Sequence, residues 1–305
     1  MRTVFFGTPA WAVPSLKALL ATPAEVAAVV TNPDKPAGRG MELRPSPVKE
    51  AAVAAGLEVL QPARAREPEL EERLRTLSPD VAVVVAYGSI LPGRLLEVPP
   101  LGFVNLHFSL LPLYRGAAPV QRAVMDGAAV TGVSVMVLTE GMDEGPVLAT
   151  REVEVRADDT AGSLGERMAE LGAPMLVETI ERYAAGEIEP REQDHERATY
   201  APKITPEEAR IAWNRPAREI VDHVRGLNPA PGAWTEWNGK RLKVWAAREV
   251  EGTLPPGRLG GSGTLVVGTG TDALELTDVQ LAGKRRMSGE ELVRGLRPRE
   301  EETLT

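Results

Sequence analysis

The sequence predicts an α/β fold in which a doubly wound, mostly parallel sheet is followed by a small β-barrel domain. The chain opens with a strand at 3–6, a helix at 10–20 and a second strand at 25–31, a βαβ order that is typical of such sheets. An unbroken apolar run at 81–86 indicates a central strand that is buried on both faces. Beyond residue 205, short strands and glycine-rich turns favour a small barrel.

The other elements of the first part follow from hydrophobic spacing and capping residues. Ser46 is a preferred N-cap and Pro47 suits a first helical turn, so a helix is predicted from there to residue 55. Further strands are predicted at 57–60, 102–106, 131–137 and 147–155, and further helices at 67–77, 117–125 and 161–185.

The second part begins after a charged stretch, 186–205, that has no clear periodicity and is interpreted as a linker. Asn238-Gly239 between two apolar runs predicts a β-hairpin with a type I′ turn. We therefore expect a first domain at 1–188, a linker at 189–205 and a second domain at 206–305. Elements of the second domain are predicted at 205–208 (a capping-box signal), 216–225 (helix), 234–237 and 241–247 (hairpin), 264–267 and 273–281 (strands) and 288–296 (helix).

The composition is that of a globular protein and excludes several kinds of site. The 305 residues include no cysteine and only three histidines, which excludes disulfides and thiolate metal sites and argues against a histidine metal cluster. No cleavable signal and no membrane-spanning segment is visible. We therefore expect a cytoplasmic protein without a metal or a membrane partner, and we expect it to be a monomer.

The net charge of −8 is distributed unevenly. Residues 1–200 carry 19 basic and 28 acidic side chains, whereas residues 201–305 carry 16 and 15. The near-neutral second part can therefore hold a local basic face.

Two turns after the first strands bear on the kind of ligand. The first strand ends in G-T-P at 7–9, which lacks the G-x-G-x-x-G fingerprint, so a dinucleotide cofactor is disfavoured. The second ends in a long loop, 32–44, with two prolines, two glycines and three cations, Lys35, Arg39 and Arg44. A solvated surface loop and a mobile cationic arm for a phosphate-bearing substrate both fit this composition.

The stretch 104–116, V-N-L-H-F-S-L-L-P-L-Y-R-G, carries the main chemical signal. Asn105 and His107 stand two residues apart on a predicted strand, so their side chains point to the same face. They lie at the carboxyl end of that strand, where open α/β sheets bind ligands. Asp143 lies in the loop after the following strand, and we expect it to approach the same cleft.

These three side chains suit direct acyl transfer between two bound substrates. No thiol is present and no G-x-S-x-G elbow surrounds Ser109, so a covalent enzyme intermediate is disfavoured. An asparagine amide and an imidazole can stabilise a carbonyl oxygen that gains charge, and either His107 or Asp143 can accept a proton from an attacking amine. Each residue also has a purely structural alternative, as a turn former, a satisfied histidine or a turn cap.

At these residues the chain resembles the folate-dependent formyltransferases. The motifs are N-x-H, S-L-L-P-x-x-R-G, G-V-S-V-M and G-M-D-E-G. The opening G-T-P-x-x-A-x-P, the loop K-P-A-G-R-G and V-V-A-Y-G are similar to the branch of this family that acts on methionyl-tRNA. The likeness covers essentially the whole chain and is most specific in the first 150 residues.

The resemblance implies a Rossmann-like first domain, an OB-like second domain and a reaction. The formyl group of 10-formyltetrahydrofolate would pass to the amino group of methionine on initiator tRNA, for translation initiation. It also implies site residues: Asn105, His107 and Asp143 as catalytic groups, Ser109, Leu110, Leu111 and Pro112 as a folate-contacting motif, and Arg39 at the tRNA acceptor end. From charge, we add as tRNA-contacting candidates Lys35, Lys203, Lys240, Arg241, Lys243, Lys284, Arg285 and Arg286.

Two other classes of function stay open on the sequence. One is a different folate-dependent enzyme, either a formyltransferase for a small amine or a formyltetrahydrofolate hydrolase. The other is a tRNA-binding module without catalysis. The 35–40 loop and the second domain argue against the first, and the Asn105, His107 and Asp143 set argues against the second.

Overall fold

The structure is a computed structural model that describes residues 1–37, 42–296, 299 and 302–305. Within them the chain divides into two compact units. The first unit comprises Met1–Pro119, Val130–Glu154 and Gly165–Ala201, and the second comprises Val120–Ala129, Val155–Leu164 and Pro202–Thr305. The domain boundaries expected at 1–188, 189–205 and 206–305 stay a prediction.

The first unit is built on a sheet of seven strands among the described residues, in the order β5-β2-β1-β6-β7-β8-β9. The first five strands in this order (β5, β2, β1, β6 and β7) are parallel to one another, whereas β8 runs antiparallel to both β7 and β9. The predicted mostly parallel sheet is confirmed. Its strands are β1 Arg2–Gly7, β2 Glu25–Val30, β5 Val59–Leu60, β6 Val81–Val85, β7 Phe103–His107, β8 Val130–Val137 and β9 Val147–Glu154, and a separate pair is formed by β3 Lys35–Ala37 and β4 Glu42–Arg44.

Helices flank this sheet, and the helix predicted to begin at Ser46 starts at its capping residue. The Ser46 hydroxyl accepts a hydrogen bond from Lys49 N at 3.1 Å, as expected for an N-cap. The helix predicted at 10–20 begins instead as a 3-10 turn, Ala10–Ala12. The helices of the first unit are α1 Val13–Leu20, α2 Pro47–Ala54, α3 Pro68–Leu77, α4 Gly93–Leu96 and most of α6 Ala161–Ala184, whereas α5 Pro119–Met125 lies almost wholly in the second unit.

Helix α6 packs closely on the back of β7. A Cβ added at Gly172 would lie 2.9 Å from the Leu106 side chain, and one at Gly165 would lie 2.2 Å from the Trp11 ring. Leu106 stands between Asn105 and His107, so the two polar side chains point to the opposite face of β7.

The segment predicted as a loop at 32–44 contains a hairpin, because β3 pairs antiparallel with β4. Its beginning is fixed by side-chain hydrogen bonds: Asn32 Nδ2 donates to Tyr87 O at 2.6 Å, and Lys49 Nζ donates to Asp34 Oδ2 at 2.7 Å. The hydrogen bonds from Lys49 and Gln61 hold the pKa of Asp34 below its ordinary value. Lys35 is exposed on β3, and Arg39 lies outside the described residues.

The second unit contains an antiparallel sheet in the order β10-β11-β14-β13-β12, with β15 paired to β14. The predicted hairpin is confirmed, since β10 and β11 pair directly and both Asn238 (φ 48°) and Gly239 (φ 70°) are left-handed. The elements are α7 Ala217–Gly226, β10 Ala233–Trp237, β11 Lys240–Val250, β12 Leu259–Gly260, β13 Val266–Gly268, β14 Ala273–Leu281, β15 Met287–Ser288 and α8 Gly289–Leu296.

The capping-box signal at 205–208 in the second unit is not followed by a helix. Glu208 N donates to Thr205 Oγ1 at 3.1 Å, which is the capping bond, yet residues 206–209 form only a turn. No helix in the described part of the chain is both long and apolar enough to cross a membrane.

Candidate active site

The candidate site lies at the carboxyl end of β7, between β6 and β8. All five residues of β7 are buried, and Asn105 and His107 are 8% and 6% exposed. Their side chains are therefore held by the strand and barely reach solvent. A strand places two side chains at i and i+2 with little freedom, which suits groups that must act on one atom.

His107 is oriented by a backbone carbonyl. Its Nε2 lies 3.0 Å from Tyr114 O, and because a carbonyl can only accept, Nε2 carries the proton in this contact. Its Nδ1 lies 3.7 Å from Asp143 Oδ2. Nδ1 is consequently the ring nitrogen that faces the Asp143 carboxylate.

Asp143 lies in the loop between β8 and β9, and its carboxylate lies next to the His107 ring. Its Oδ2 accepts a hydrogen bond from Gly116 N at 2.8 Å. Its backbone is left-handed (φ 51°), a conformation that aspartate tolerates better than most residues. The side chain is 17% exposed, so it borders the cleft.

The Asn105 carboxamide is left without a partner. It is 8% exposed, and no hydrogen bond joins it to any residue that the structure describes. Its nitrogen and oxygen are not among the fully buried side-chain atoms that lack a partner, so they reach solvent at the strand end. A substrate carbonyl or amine is a partner of the right chemistry, because the carboxamide both donates and accepts.

The predicted folate motif forms a loop that is braced from β8. Ser109 is fully buried, and its hydroxyl donates to Leu113 O at 2.5 Å. Ser134 donates from Oγ to Ser109 O at 2.7 Å and accepts from Leu111 N at 3.0 Å. Ser109 therefore shapes the loop from inside, whereas Leu110 and Pro112 are partly exposed on it.

Two further residues reach this site without having been predicted. Arg115, which is 1% exposed, donates from Nε and Nη2 to Gln193 Oε1 at 3.1 and 2.7 Å. Gln193 Nε2 donates to Asp143 O at 2.8 Å and to Gly145 O at 2.7 Å. Gln193 belongs to the stretch interpreted as a linker, where neither periodicity nor charge marks it.

Three of the candidate tRNA-contacting cations of the second unit lie over tryptophan rings. The Arg241 guanidinium carbon lies 4.1 Å from the centroid of the Trp234 ring, and Lys243 Nζ lies 5.0 Å from that of Trp245. Arg286 also lies over Trp245, at 5.3 Å. Both rings are partly exposed, and cations next to accessible aromatic rings are a common feature of surfaces that bind single-stranded nucleic acid.

The remaining candidates differ in how their charge is used. Arg285 pairs with Glu291, and Arg286 pairs with Asp278 at 2.6 Å. By contrast, Lys203, Lys240 and Lys284 are exposed and form no ion pair with a residue that the structure describes. Among the described candidates, these three lysines, together with Lys35, Arg241 and Lys243, have no carboxylate partner that would compete with a phosphate.

The donor set at the site does not favour a metal. Among the described residues, no three histidine, aspartate or glutamate side chains are grouped so that they could hold an ion. Asn105, His107 and Asp143 instead supply hydrogen-bond donors and proton acceptors.

Family comparisons cover both parts of the chain. The Formyl transferase family matches residues 1–180, and the Formyl transferase, C-terminal domain family matches residues 203–297. The methionyl-tRNA formyltransferase of Streptomyces coelicolor is 50% identical over 308 residues, which is 100% of this chain and 99% of that protein. That of Chloroflexus aurantiacus is 47% identical, over 97% of each chain.

Solved structures share the fold. The N-formyltransferase of Helicobacter canadensis, in complex with folinic acid and dTDP-3-aminofucose, is 17% identical with a TM-score of 0.67, over 93% of this chain and 99% of that one. Methionyl-tRNA formyltransferase from Clostridium thermocellum is 18% identical with a TM-score of 0.59, over 82% and 94%.

Proposed function

Because the chain belongs to the formyl transferase family, with methionyl-tRNA formyltransferases among its full-length relatives, we propose that it formylates initiator methionyl-tRNA. The formyl donor is 10-formyltetrahydrofolate and the acceptor is the α-amino group of methionine. The product supplies translation initiation. The observation that carries the proposal is the strand end where an unpartnered Asn105 stands beside a His107 that faces Asp143 at 3.7 Å.

Carbonyl activation is the role proposed for Asn105. The formyl oxygen gains negative charge when the amine attacks the formyl carbon, and a buried amide donor stabilises that charge without reorganising. Loss of one such donor typically slows an acyl transfer by about 10²- to 10³-fold.

Proton transfer is the role proposed for His107 and Asp143. The new bond joins the methionine nitrogen to the formyl carbon, and the bond from that carbon to folate N10 breaks. The nitrogen loses one proton and N10 gains one, so one group must accept and return it. Nδ1 of His107 and Oδ2 of Asp143 are the two acceptors in the cleft, and either completes the reaction without a covalent enzyme intermediate.

Folate is proposed to lie against the loop 109–112. Ser134 fixes the backbone of this loop through two hydrogen bonds, and Ser109 fixes it from inside. Leu110, Leu111 and Pro112 then offer a rigid apolar edge for a planar ring system.

Methionyl-tRNA is proposed to bind through the cations of both parts of the chain. In the first unit these are Lys35 and Arg39. In the second unit they are Lys203, Lys240, Arg241, Lys243, Lys284, Arg285 and Arg286. Phosphate contacts of this kind make binding weaken steeply as salt rises.

An acceptor assay with the wild-type chain tests the proposal. Labelled 10-formyltetrahydrofolate is offered with charged initiator methionyl-tRNA, charged elongator methionyl-tRNA, free methionine, an amino-sugar nucleotide, or no acceptor. We expect formyl transfer to the initiator tRNA at the highest kcat/KM. Preferred transfer to the amino sugar, or release of formate with water as acceptor, would replace the proposed function with one of its two enzymatic alternatives. Tight tRNA binding without product would support a module without catalysis.

A further inference from the structure

We propose that Gln193 is a positioning residue that holds Asp143 against His107, with Arg115 as its anchor. This role deepens the proposed function, because it concerns the same site and the same reaction. Gln193 touches neither the folate motif nor the His107 ring, and it acts through the backbone of the 143–145 loop.

The hydrogen bonds of Gln193 form a relay with a defined direction. Its Oε1 accepts two hydrogen bonds from Arg115, and its Nε2 donates two, to Asp143 O and Gly145 O, at 2.7–2.8 Å. All four contacts engage a side chain that is 7% exposed. A buried amide whose oxygen and nitrogen both form hydrogen bonds is held rigidly. It therefore fixes the position of the loop 143–145, to which it donates.

Asp143 needs such support because its own backbone is not in a relaxed conformation. A non-glycine residue at φ 51° is held there by its surroundings. Gly116 N donates a hydrogen bond to the Asp143 carboxylate, and Gln193 Nε2 donates one to the Asp143 backbone carbonyl. The two contacts together set where Oδ2 lies relative to Nδ1 of His107.

Arg115 ties this support to the loop that orients His107. Its guanidinium is 1% exposed, and its partners are Gln193 Oε1 and, at 3.2 Å, His195 Nδ1. No carboxylate of the described residues pairs with it. A buried guanidinium without a carboxylate partner must be stabilised by neutral polar groups, here the Gln193 amide and the His195 ring. These hydrogen bonds also fix the orientation of the Gln193 amide. Arg115 directly follows Tyr114, whose carbonyl binds His107 Nε2.

The backbone of 191–201 supports the same two loops. Val147 N donates to Arg191 O at 2.8 Å and Arg191 N donates back at 2.9 Å. Arg115 N donates to Thr199 O at 2.9 Å, and Ala201 N donates to Arg115 O at 2.7 Å. The segment therefore joins the loop of Asp143 to the loop of Arg115, and Gln193 is the side chain of the segment that reaches Asp143.

The substitution Gln193→Glu tests the role with little change in shape. A glutamate keeps acceptors for Arg115 and even offers it an ion pair, so the fold is retained. It cannot donate to the carbonyls of Asp143 and Gly145, and its negative charge repels them. We expect kcat for formyl transfer to fall by about 10- to 100-fold, with the KM of each substrate within about twofold of wild type. The neighbouring exposed Glu192→Gln is the matched control and should leave both constants unchanged.

A double-mutant cycle separates positioning from a general structural effect. If Gln193 acts through Asp143, adding Gln193→Glu to Asp143→Asn produces no further loss of kcat. Arg115→Lys provides a second probe, because lysine keeps the charge but cannot form the bidentate contact, and it should give a smaller loss that also disappears in the Asp143→Asn background.

The outcomes are distinguishable. Wild-type chain that fails to formylate any acceptor refutes the proposed function. Active wild-type chain with a Gln193→Glu variant of equal kcat, or with losses that multiply fully in the double variant, refutes the positioning role alone.

Discussion

His223 is a buried histidine of α7 whose charge is coupled to folding. Burial and, to a smaller extent, the charge of Arg215 lower its pKa from the ordinary value of 6.5 to about 4. The Ala209 backbone and the Glu208 carboxylate oppose this only in part. The ring, which is 7% exposed, is therefore neutral in the folded chain at pH 7.

Acid should destabilise the second unit through His223. Above pH 6.5 the ring is neutral in both states, so its contribution to stability is complete. Between pH 6.5 and 4 the unfolded chain binds a proton that the folded chain does not, and the free energy of unfolding falls by about 3 kcal/mol from this group. Urea unfolding at pH 7 and pH 4 measures the difference.

His223→Gln is the matched variant for this measurement, because glutamine does not titrate. Its free energy of unfolding should lose about 3 kcal/mol less than wild type over the same pH range. An identical loss in both proteins would show that His223 is not the group responsible.

Residue patterns predicted part of the site and could not predict the rest. Asn105 and His107 share a strand face by periodicity alone, and Asp143 was expected near them because it lies in the loop after the following strand. Gln193 and Ser134 act through backbone carbonyls and amides, and such contacts depend on chain positions that no local pattern encodes. The roles of Asn105, His107 and Asp143 stay predictions until variants are assayed.

Among the elements, strand β8 braces the loop 109–112, which is proposed to contact folate. Its Ser134 binds that loop, and its Gly132 leaves room for it. A Cβ at Gly132 would lie 2.2 Å from Arg151 O on β9 and 2.5 Å from the Leu110 side chain. Because one of these neighbours is backbone, the strand cannot make room by rotating a side chain.

Gly132→Ala should therefore lower both stability and folate affinity. Overpacking of this kind costs about 1–3 kcal/mol, and displacement of Leu110 should raise the KM for 10-formyltetrahydrofolate. Gly295→Ala in α8 is the control, since nothing lies within 4 Å of its added Cβ. Thermal unfolding and folate titration compare the two. Equal stability and KM in both variants would contradict the close fit of β8 with the folate loop.

The elements themselves were largely predictable, with instructive exceptions. The β14 strand was predicted at 273–281, where it forms, and the β10–β11 hairpin was predicted from Asn238-Gly239 between two apolar runs. The Thr205 capping signal was misleading, because its hydrogen bond forms on a turn that no amphipathic sequence continues. The β3–β4 pair was missed because Pro36 and the surrounding charges do not alternate as a strand does.

At the scale of the whole molecule, the two parts of the chain differ in charge. Residues 1–200 have 28 acidic and 19 basic side chains, and residues 201–305 are nearly balanced at 15 and 16. Three exposed lysines that form no ion pair with a described residue, Lys203, Lys240 and Lys284, belong to the balanced part. An acidic chain of this kind can attract a polyanion only through local cationic surface. The comparisons place the whole chain, not one part of it, in the family.

The geometry of the site and the family comparisons support the claim that His107, with Asn105 and Asp143, takes part in formyl transfer to methionyl-tRNA. The single-turnover rate of that transfer, with saturating 10-formyltetrahydrofolate and initiator methionyl-tRNA, tests it in wild type and in His107→Ala. We expect the variant to bind the tRNA with unchanged Kd and to react about 10²- to 10⁴-fold more slowly, because it lacks the imidazole that is proposed to work with Asp143 in proton transfer. A His107→Ala variant that reacts at the wild-type rate would contradict the claim.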